Sequence, residues 1–186
     1  MTLPVTGSQT VGPFFRIGMA PLFREGMALE GTAGERVTLC GRVLDGEGAG
    51  IPDAMIEIWQ ADAQGKYVGA EEGRRGFTGF GRVPTNEKGE FRFTTIKPGA
   101  VPGPEGSPQA PHLVVIVFMR GLLRHLVTRI YFANDAASEN DAILRLIPAE
   151  RRHTLFARRD GASGTAFQWD IHMQGEKETV FFDLGT

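Results

Sequence analysis

Residues 37–60 read VTLCGRVLDGEGAGIPDAMIEIWQ, and their pattern decides the fold class. In the first part Val37, Leu39 and Val43 fall on one face of an extended chain; in the last, Ile56 and Ile58 share a side. A period of two belongs to a β-strand, because successive side chains leave opposite sides of the backbone. Between the two runs, DGEGAGIPD is made of residues that reverse a chain. The stretch predicts strand, turn, strand.

The same punctuation continues outward, with 25 glycines and 11 prolines spread through 186 residues. Glu90–Thr95, EFRFTT, is the cleanest alternation, Phe91 and Phe93 inward, Glu90 and Arg92 outward. Leu113–Met119 is apolar on both faces, which predicts a strand in the middle of a sandwich or under a covering loop. Leu126–Phe132 and Phe167–Met173 alternate again, and Thr179–Phe182 reads as a short closing strand. One helical segment is expected between Asp141 and Leu155, with Asn140 or Asp141 capping AILRLI before Pro148 interrupts or restarts it. Two stretches read as long loops: Lys97–Pro111, KPGAVPGPEGSPQAP, and Gly69–Pro84, GAEEGRRGFTGFGRVP. The second has no phosphate-loop motif and no helix to follow it, which argues against nucleotide binding. No internal repeat is visible. The expectation is an all-β protein: one domain over 1–186, a β-sandwich of mixed and antiparallel strands with long loops and one short helical segment.

Composition removes several function classes. Hydrophobic residues make up 41% of the chain, ordinary globular usage. The longest apolar run, Leu113–Met119, is far too short to span a bilayer, so no membrane role is expected. The opening MTLPVTGSQT lacks the basic start and apolar stretch of a secretion signal, so a cytoplasmic location is expected. A single cysteine, Cys40, rules out an internal disulfide. A net charge of −2 without a basic cluster makes nucleic acid an unexpected partner.

Chemistry first shows at PHLVVIVF, residues 111–118, where His112 opens a strand and Val114 stands next on its face. Two histidines at that spacing would suggest a metal site; one histidine and one valine do not. The chain has two tyrosines, Tyr67 and Tyr131, and three further histidines. His125 sits in RGLLRHL, His153 follows two arginines, and His172 alternates with Ile171 and Met173, which points it toward solvent. Nothing in these spacings gathers them into a site. Arg129 lies inside LVTRIYF on the face of Val127 and Tyr131, an awkward place for an unpartnered guanidinium. Glu57 and Asp170 are candidate ion-pair partners for it. The pairs Arg74-Arg75, Arg151-Arg152 and Arg158-Arg159 read as solvated faces or interface rims.

The stretch Leu39–Tyr67, LCGRVLDGEGAGIPDAMIEIWQADAQGKY, resembles the signature of the intradiol ring-cleavage dioxygenases. Gly41, Val43, Gly48, Ile51, Ile56, Glu57, Ile58, Gly65 and Tyr67 fall where that pattern has them. Its strand–turn–strand part alone is shared with small prealbumin-like binding modules. FRFTTIKPG, the PH strand, LVTRIYFAND, FQWDIHMQGEKETVFFD and SQTVGPFF extend the resemblance over nearly the whole chain.

Iron-bearing members of the family hold a non-haem ferric ion with two tyrosines and two histidines, phenolate being a hard anionic donor suited to the higher oxidation state. The matching positions here are Tyr67, Val101 (in KPGAVPG), His112 and Val114. Two are valines, which donate nothing, so the chain is expected to hold no metal itself. Tyr67 and His112 then read as remnants. The resemblance further implies an iron-bearing beta chain as partner, holding Fe(III), in a higher hetero-oligomer. Protocatechuate and O2 would be the substrates and 3-carboxy-cis,cis-muconate the product, within aromatic catabolism by the beta-ketoadipate pathway. It implies that Thr10, Gly12, Pro13 and Arg129 line the shared site, the last near a substrate carboxylate. Residues 1–36 would form an arm packing on the partner and 37–186 the core.

By residue type alone, SQTVGPFF reads as a strap anchored by Phe14 and Phe15. Gly12 would allow close backbone approach and Pro13 would fix the chain direction. Phe14 stands where some related chains carry tyrosine. Two other readings stay open on the sequence: a stand-alone prealbumin-like β-sandwich binding module without catalysis, and a self-sufficient dioxygenase with altered ligands.

Overall fold

The computed structural model describes residues 5–69, 76–103, 106–161 and 164–183. The opening stretch forms β1 (Arg36–Leu44) and β2 (Met55–Trp59) as its periodicity requires. Val37, Leu39 and Val43 face the core from β1, and Ile56 and Ile58 from β2. The turn after β1 is held by the Asp45 carboxylate, which accepts from the amides of Glu47 and Ala49 at 2.9 Å each. Gly41 must lack a side chain, because a Cβ there would run into the Trp169 carbonyl.

The other strands are β3 (Phe80–Pro84), β4 (Glu90–Ile96), β5 (Val101–Pro102), β6 (Pro108–Gln109), β7 (His112–Phe118), β8 (Leu126–Phe132), β9 (Phe156–Arg159), β10 (Ala166–Gln168) and β11 (Ile171–His172). The expected all-β class holds, with antiparallel and parallel pairs mixed. The strands do not separate plainly into the two sheets of a sandwich. They follow one hydrogen-bonded path, β4–β1–β10–β9–β8–β7–β2–β3, with β11 also on β1. That path curls until its ends meet: Arg24 exchanges backbone hydrogen bonds with Arg82 on β3, and Met27 donates to Thr94 on β4. Residues 24–28 are therefore the seam that joins β3 to β4, and Met27 is buried there.

Four stretches read from the sequence come out differently, and β9 had no counterpart in that reading. The Gly69–Pro84 stretch, read as a loop, ends in β3, which pairs with β2 throughout. The Lys97–Pro111 loop contains the small β5–β6 hairpin. Phe167–Met173 splits into β10 and β11, because between them the Arg42 amide donates to the Asp170 carboxylate at 3.0 Å instead of to the next backbone carbonyl of the ladder. Thr179–Phe182 makes no strand; it is pinned by the Phe182 amide on Val127 and by the Thr128 hydroxyl on Val180.

Helix is scarce. α1 (Pro13–Met19) lies in the arm, where PFFRIGM has no amphipathic pattern to announce it, and none of its residues is buried. Of the segment expected between Asp141 and Leu155, only α2 (Ala142–Arg145) is α-helix, capped by Asp141 and ending before Pro148; Arg152–Leu155 forms a 3-10 turn beyond it. None of the helices among the described residues is long and apolar enough to cross a membrane.

β7 lies between β2 and β8 and shows why its sequence is apolar on both faces. Leu113, Val115 and Val117 point into the main core, while Val114, Ile116 and Phe118 are half-buried on the outer face. Part of that face is covered from within the chain. α1 lies over its Phe118 end, with Phe15 and Phe118 rings 5.6 Å apart. A second cluster, Ala110, Tyr131, Leu144, Ile147 and Leu155, covers the end beside α2. Between them Trp59 remains half-exposed, beside Val114.

Candidate functional site

Two packed loops and two strands bring the positions of interest together. Asp62 folds the loop before Tyr67, accepting from the amides of Gln64 and Lys66 at 2.9 Å each. Gly65 holds a positive φ of 78°, and a Cβ there would strike the Ala100 carbonyl. The loop thus lies directly on residues 99–100, one position before Val101. Val101 in turn pairs with Gln109 across the β5–β6 hairpin. On the sheet, His112 stands opposite Tyr131, and Val114 stands between Trp59 and Arg129.

The donor set does not fit a ferric ion. Val101 is buried and Val114 half-buried, and neither carries a lone pair. Tyr67 is 46% exposed. His112 is buried, and its Nδ1 lies 2.7 Å from the Ala110 carbonyl, which can only accept, so Nδ1 carries the proton. Burial pushes the His112 pKa below the usual histidine value, helped by the Arg129 charge and opposed by the Ala110 hydrogen bond and Asp141. Among the described residues no three His, Cys, Asp or Glu side chains converge. His125 is exposed and packs on Phe118, and exposed His153 bonds the Glu150 carbonyl. His172, expected to face solvent, is half-buried on β11.

Arg129 corrects an expectation. Glu57 is taken by Arg82, whose Nε donates at 2.6 Å, and Asp170 by Arg42 at 3.1 Å. Arg129 instead donates from Nη1 to Gln109 Oε1 at 2.7 Å, with the Tyr131 hydroxyl a longer partner at 3.4 Å. The Tyr131 hydroxyl donates in turn to Asp141 at 3.2 Å. Asp141 is fully buried and also accepts from the amides of Ala110, Ile143 and Leu144 at 2.8–2.9 Å. Burial, opposed by Arg129, pushes the Tyr131 pKa up to about 12, so the phenol stays neutral. Sequence reasoning found Asp141 only as a helix cap and missed Gln109. No local pattern marks a contact between residues 20 or more positions apart.

The arm residues lie elsewhere on the same outer face. Thr10 Oγ1 accepts from the Gly121 amide at 2.8 Å, and Gly12 precedes α1 with its carbonyl bonded to the Phe15 amide. Thr10, Gly12, Pro13 and Phe14 are all exposed, Phe14 to 83%. Gly12 has φ −108° and ψ −179°, which any residue adopts, and no described atom lies within 4 Å of a Cβ placed on it. Nothing in its own chain demands a glycine there. Gly12 and Pro13 share a cavity of about 680 Å³ with Met55 and Phe118, while Arg129 lies across from Val114. That separates the two groups by about 13 Å along β7. The structure therefore does not gather Thr10, Gly12, Pro13 and Arg129 into one cluster within this chain. Of the arginine pairs, Arg158 and Arg159 are exposed, Arg151 and Arg152 are half-buried on backbone carbonyls, and Arg74-Arg75 lies outside the described residues.

Residues 12–175 match the family described as Dioxygenase. The chain is 43% identical to the protocatechuate 3,4-dioxygenase alpha chain of Burkholderia cepacia, over 98% of this chain and 99% of that one. It is 31% identical to the beta chain from the same organism, over 95% of this chain and 78% of that one. Among solved structures, the dioxygenase domain of a carbohydrate-binding fusion from Streptomyces sp. SirexAA-E aligns with a TM-score of 0.65 at 24% identity, covering 85% of this chain and 89% of its own. At that identity the likeness is one of fold.

Proposed function

The chain belongs to the intradiol ring-cleavage dioxygenases, and from that premise we propose that it is the alpha-type, non-iron-binding subunit of a protocatechuate 3,4-dioxygenase. One observation carries the reading: a chain similar to alpha chains from end to end has valine at two of the family's four ligand positions. Its partner is a beta-type chain holding Fe(III), in a hetero-oligomer acting in aromatic catabolism, on the beta-ketoadipate pathway, in the cytoplasm. When bound in that partner, ferric iron supplies activation of the catechol ring toward O2, and protocatechuate is opened to 3-carboxy-cis,cis-muconate.

The residues of this chain bind, orient and enclose. Arg129 offers a fixed positive charge for the substrate carboxylate, worth most where water is excluded. Thr10, Gly12 and Pro13 form a wall, Gly12 leaving the backbone free to approach a ligand. Residues 24–28 close the seam of their own fold, which leaves the part of the 1–36 arm before them to reach the partner. The sheet around Trp59, Val114 and Ile116 is the apolar surface that the beta chain covers.

The test is co-expression with a beta-type chain, followed by iron analysis and turnover. The chain alone is expected to be colourless and to lack stoichiometric iron, and the pair to carry iron and activity. A burgundy, iron-loaded isolated chain overturns the proposal. In the pair, Gly12→Val should lower turnover with iron unchanged, since this chain itself has room for the side chain. Loss of iron in that variant argues against the wall.

A further inference from the structure

Arginine presents five N–H donors in one plane, and which edge faces a ligand depends on what holds the rest. Nη1 of Arg129 is held by Gln109 and, at longer range, by the Tyr131 hydroxyl, whereas Nε and Nη2 have no partner among the described residues. The free Nε–Nη2 edge is a two-pronged fork of the kind that takes both oxygens of a carboxylate.

The groups holding Nη1 are themselves held. Gln109 Nε2 donates to the Pro102 carbonyl at 3.2 Å, and since that carbonyl can only accept, the amide is turned with Oε1 toward Arg129. The Tyr131 hydroxyl gives its proton to Asp141, which leaves an oxygen lone pair for the guanidinium. Three backbone amides fix Asp141. A chain of acceptors thus runs from the buried start of α2 to the outer face of the sheet.

We propose that Gln109, Tyr131 and Asp141 are positioning residues for Arg129, setting its guanidinium plane so that the Nε–Nη2 edge meets the substrate carboxylate and makes the enzyme select carboxylated catechols. The inference rests on the role given to Arg129 above. A free arginine would lose several rotatable bonds on binding, and one already fixed gives that entropy up during folding instead.

The experiment uses the assembled alpha–beta enzyme with Arg129→Gln, Gln109→Leu and Tyr131→Phe. It reads KM and kcat for protocatechuate and the inhibition constant of catechol, which lacks the carboxylate. Tyr131→Phe removes one hydroxyl and leaves Asp141 its three backbone donors, so the fold should survive. Each positioning variant should raise KM for protocatechuate about tenfold, with kcat within about threefold and iron and catechol inhibition unchanged. A merely structural role would weaken protocatechuate and catechol alike, and that result overturns the proposal. If Arg129→Gln raises KM while Gln109→Leu and Tyr131→Phe leave it unchanged, the positioning inference alone falls. If Arg129→Gln is itself silent, the substrate role of Arg129 falls first and the inference with it.

Discussion

The Nδ1 proton of His112 goes to the Ala110 carbonyl two residues back, and its ring packs 5.8 Å from that of Tyr131. This placement has a consequence for pH. In the unfolded chain a histidine titrates near 6.5, while burial holds the folded value lower. On acidification the unfolded chain takes up the proton first, so stability is full above 6.5 and is lost as pH falls from there toward the folded value. The denaturant midpoint should therefore fall between neutral pH and about pH 5, and His112→Gln should flatten that fall. A wild-type midpoint that stays level over this range would contradict the assignment. At this scale much was legible: Tyr67 ends the signature, and Val101, His112 and Val114 stand in the KPG loop and the PH strand, where the wider resemblance places the other ligands. The tautomer of His112 and the shift of its pKa were not, because they depend on how the backbone turns the Ala110 carbonyl and on burial and an arginine that only folding supplies.

Among the elements, α2 has only four residues, too few to persist without its cap. Asp141 supplies that cap and also ties the amide before β7 and the Tyr131 hydroxyl into one buried knot. Asp141→Ala would remove the cap and strand buried donors, and should cost about 3 kcal/mol or more in chemical denaturation. A loss below about 1 kcal/mol would mean that water replaces the carboxylate at little cost. Periodicity found β1, β2, β4, β7 and β8 because each alternates or is continuously apolar over a useful length. It missed β3, whose glycine-rich FGRVP reads as loop and becomes strand by pairing with β2. It missed α1 too, since a helix without a buried face leaves no stripe to read.

Taken whole, the chain closes one curled sheet with a seam from its own N-terminal segment and leaves part of the outer face apolar. Trp59 is half-exposed there, its aromatic neighbour being Phe80 at 5.6 Å. Trp59→Glu should cost the isolated chain little stability, about 1 kcal/mol, yet weaken association with a beta-type chain at least tenfold in a binding titration. Unchanged association would place the interface on another surface. By itself the sequence determined the strand-rich class, the turns and glycines of the signature, the cap of α2, and the lack of donor atoms at positions 101 and 114. Each of these is written in neighbouring residues or in side-chain identity. Only the tertiary structure decided that residues 24–28 join β3 to β4, that β10 and β11 run parallel to β1, and that Arg129 is held by Gln109 and Tyr131 rather than by Glu57 or Asp170. The physical reason is range. These contacts join segments far apart in the chain, and their partners are chosen by how the sheet curls.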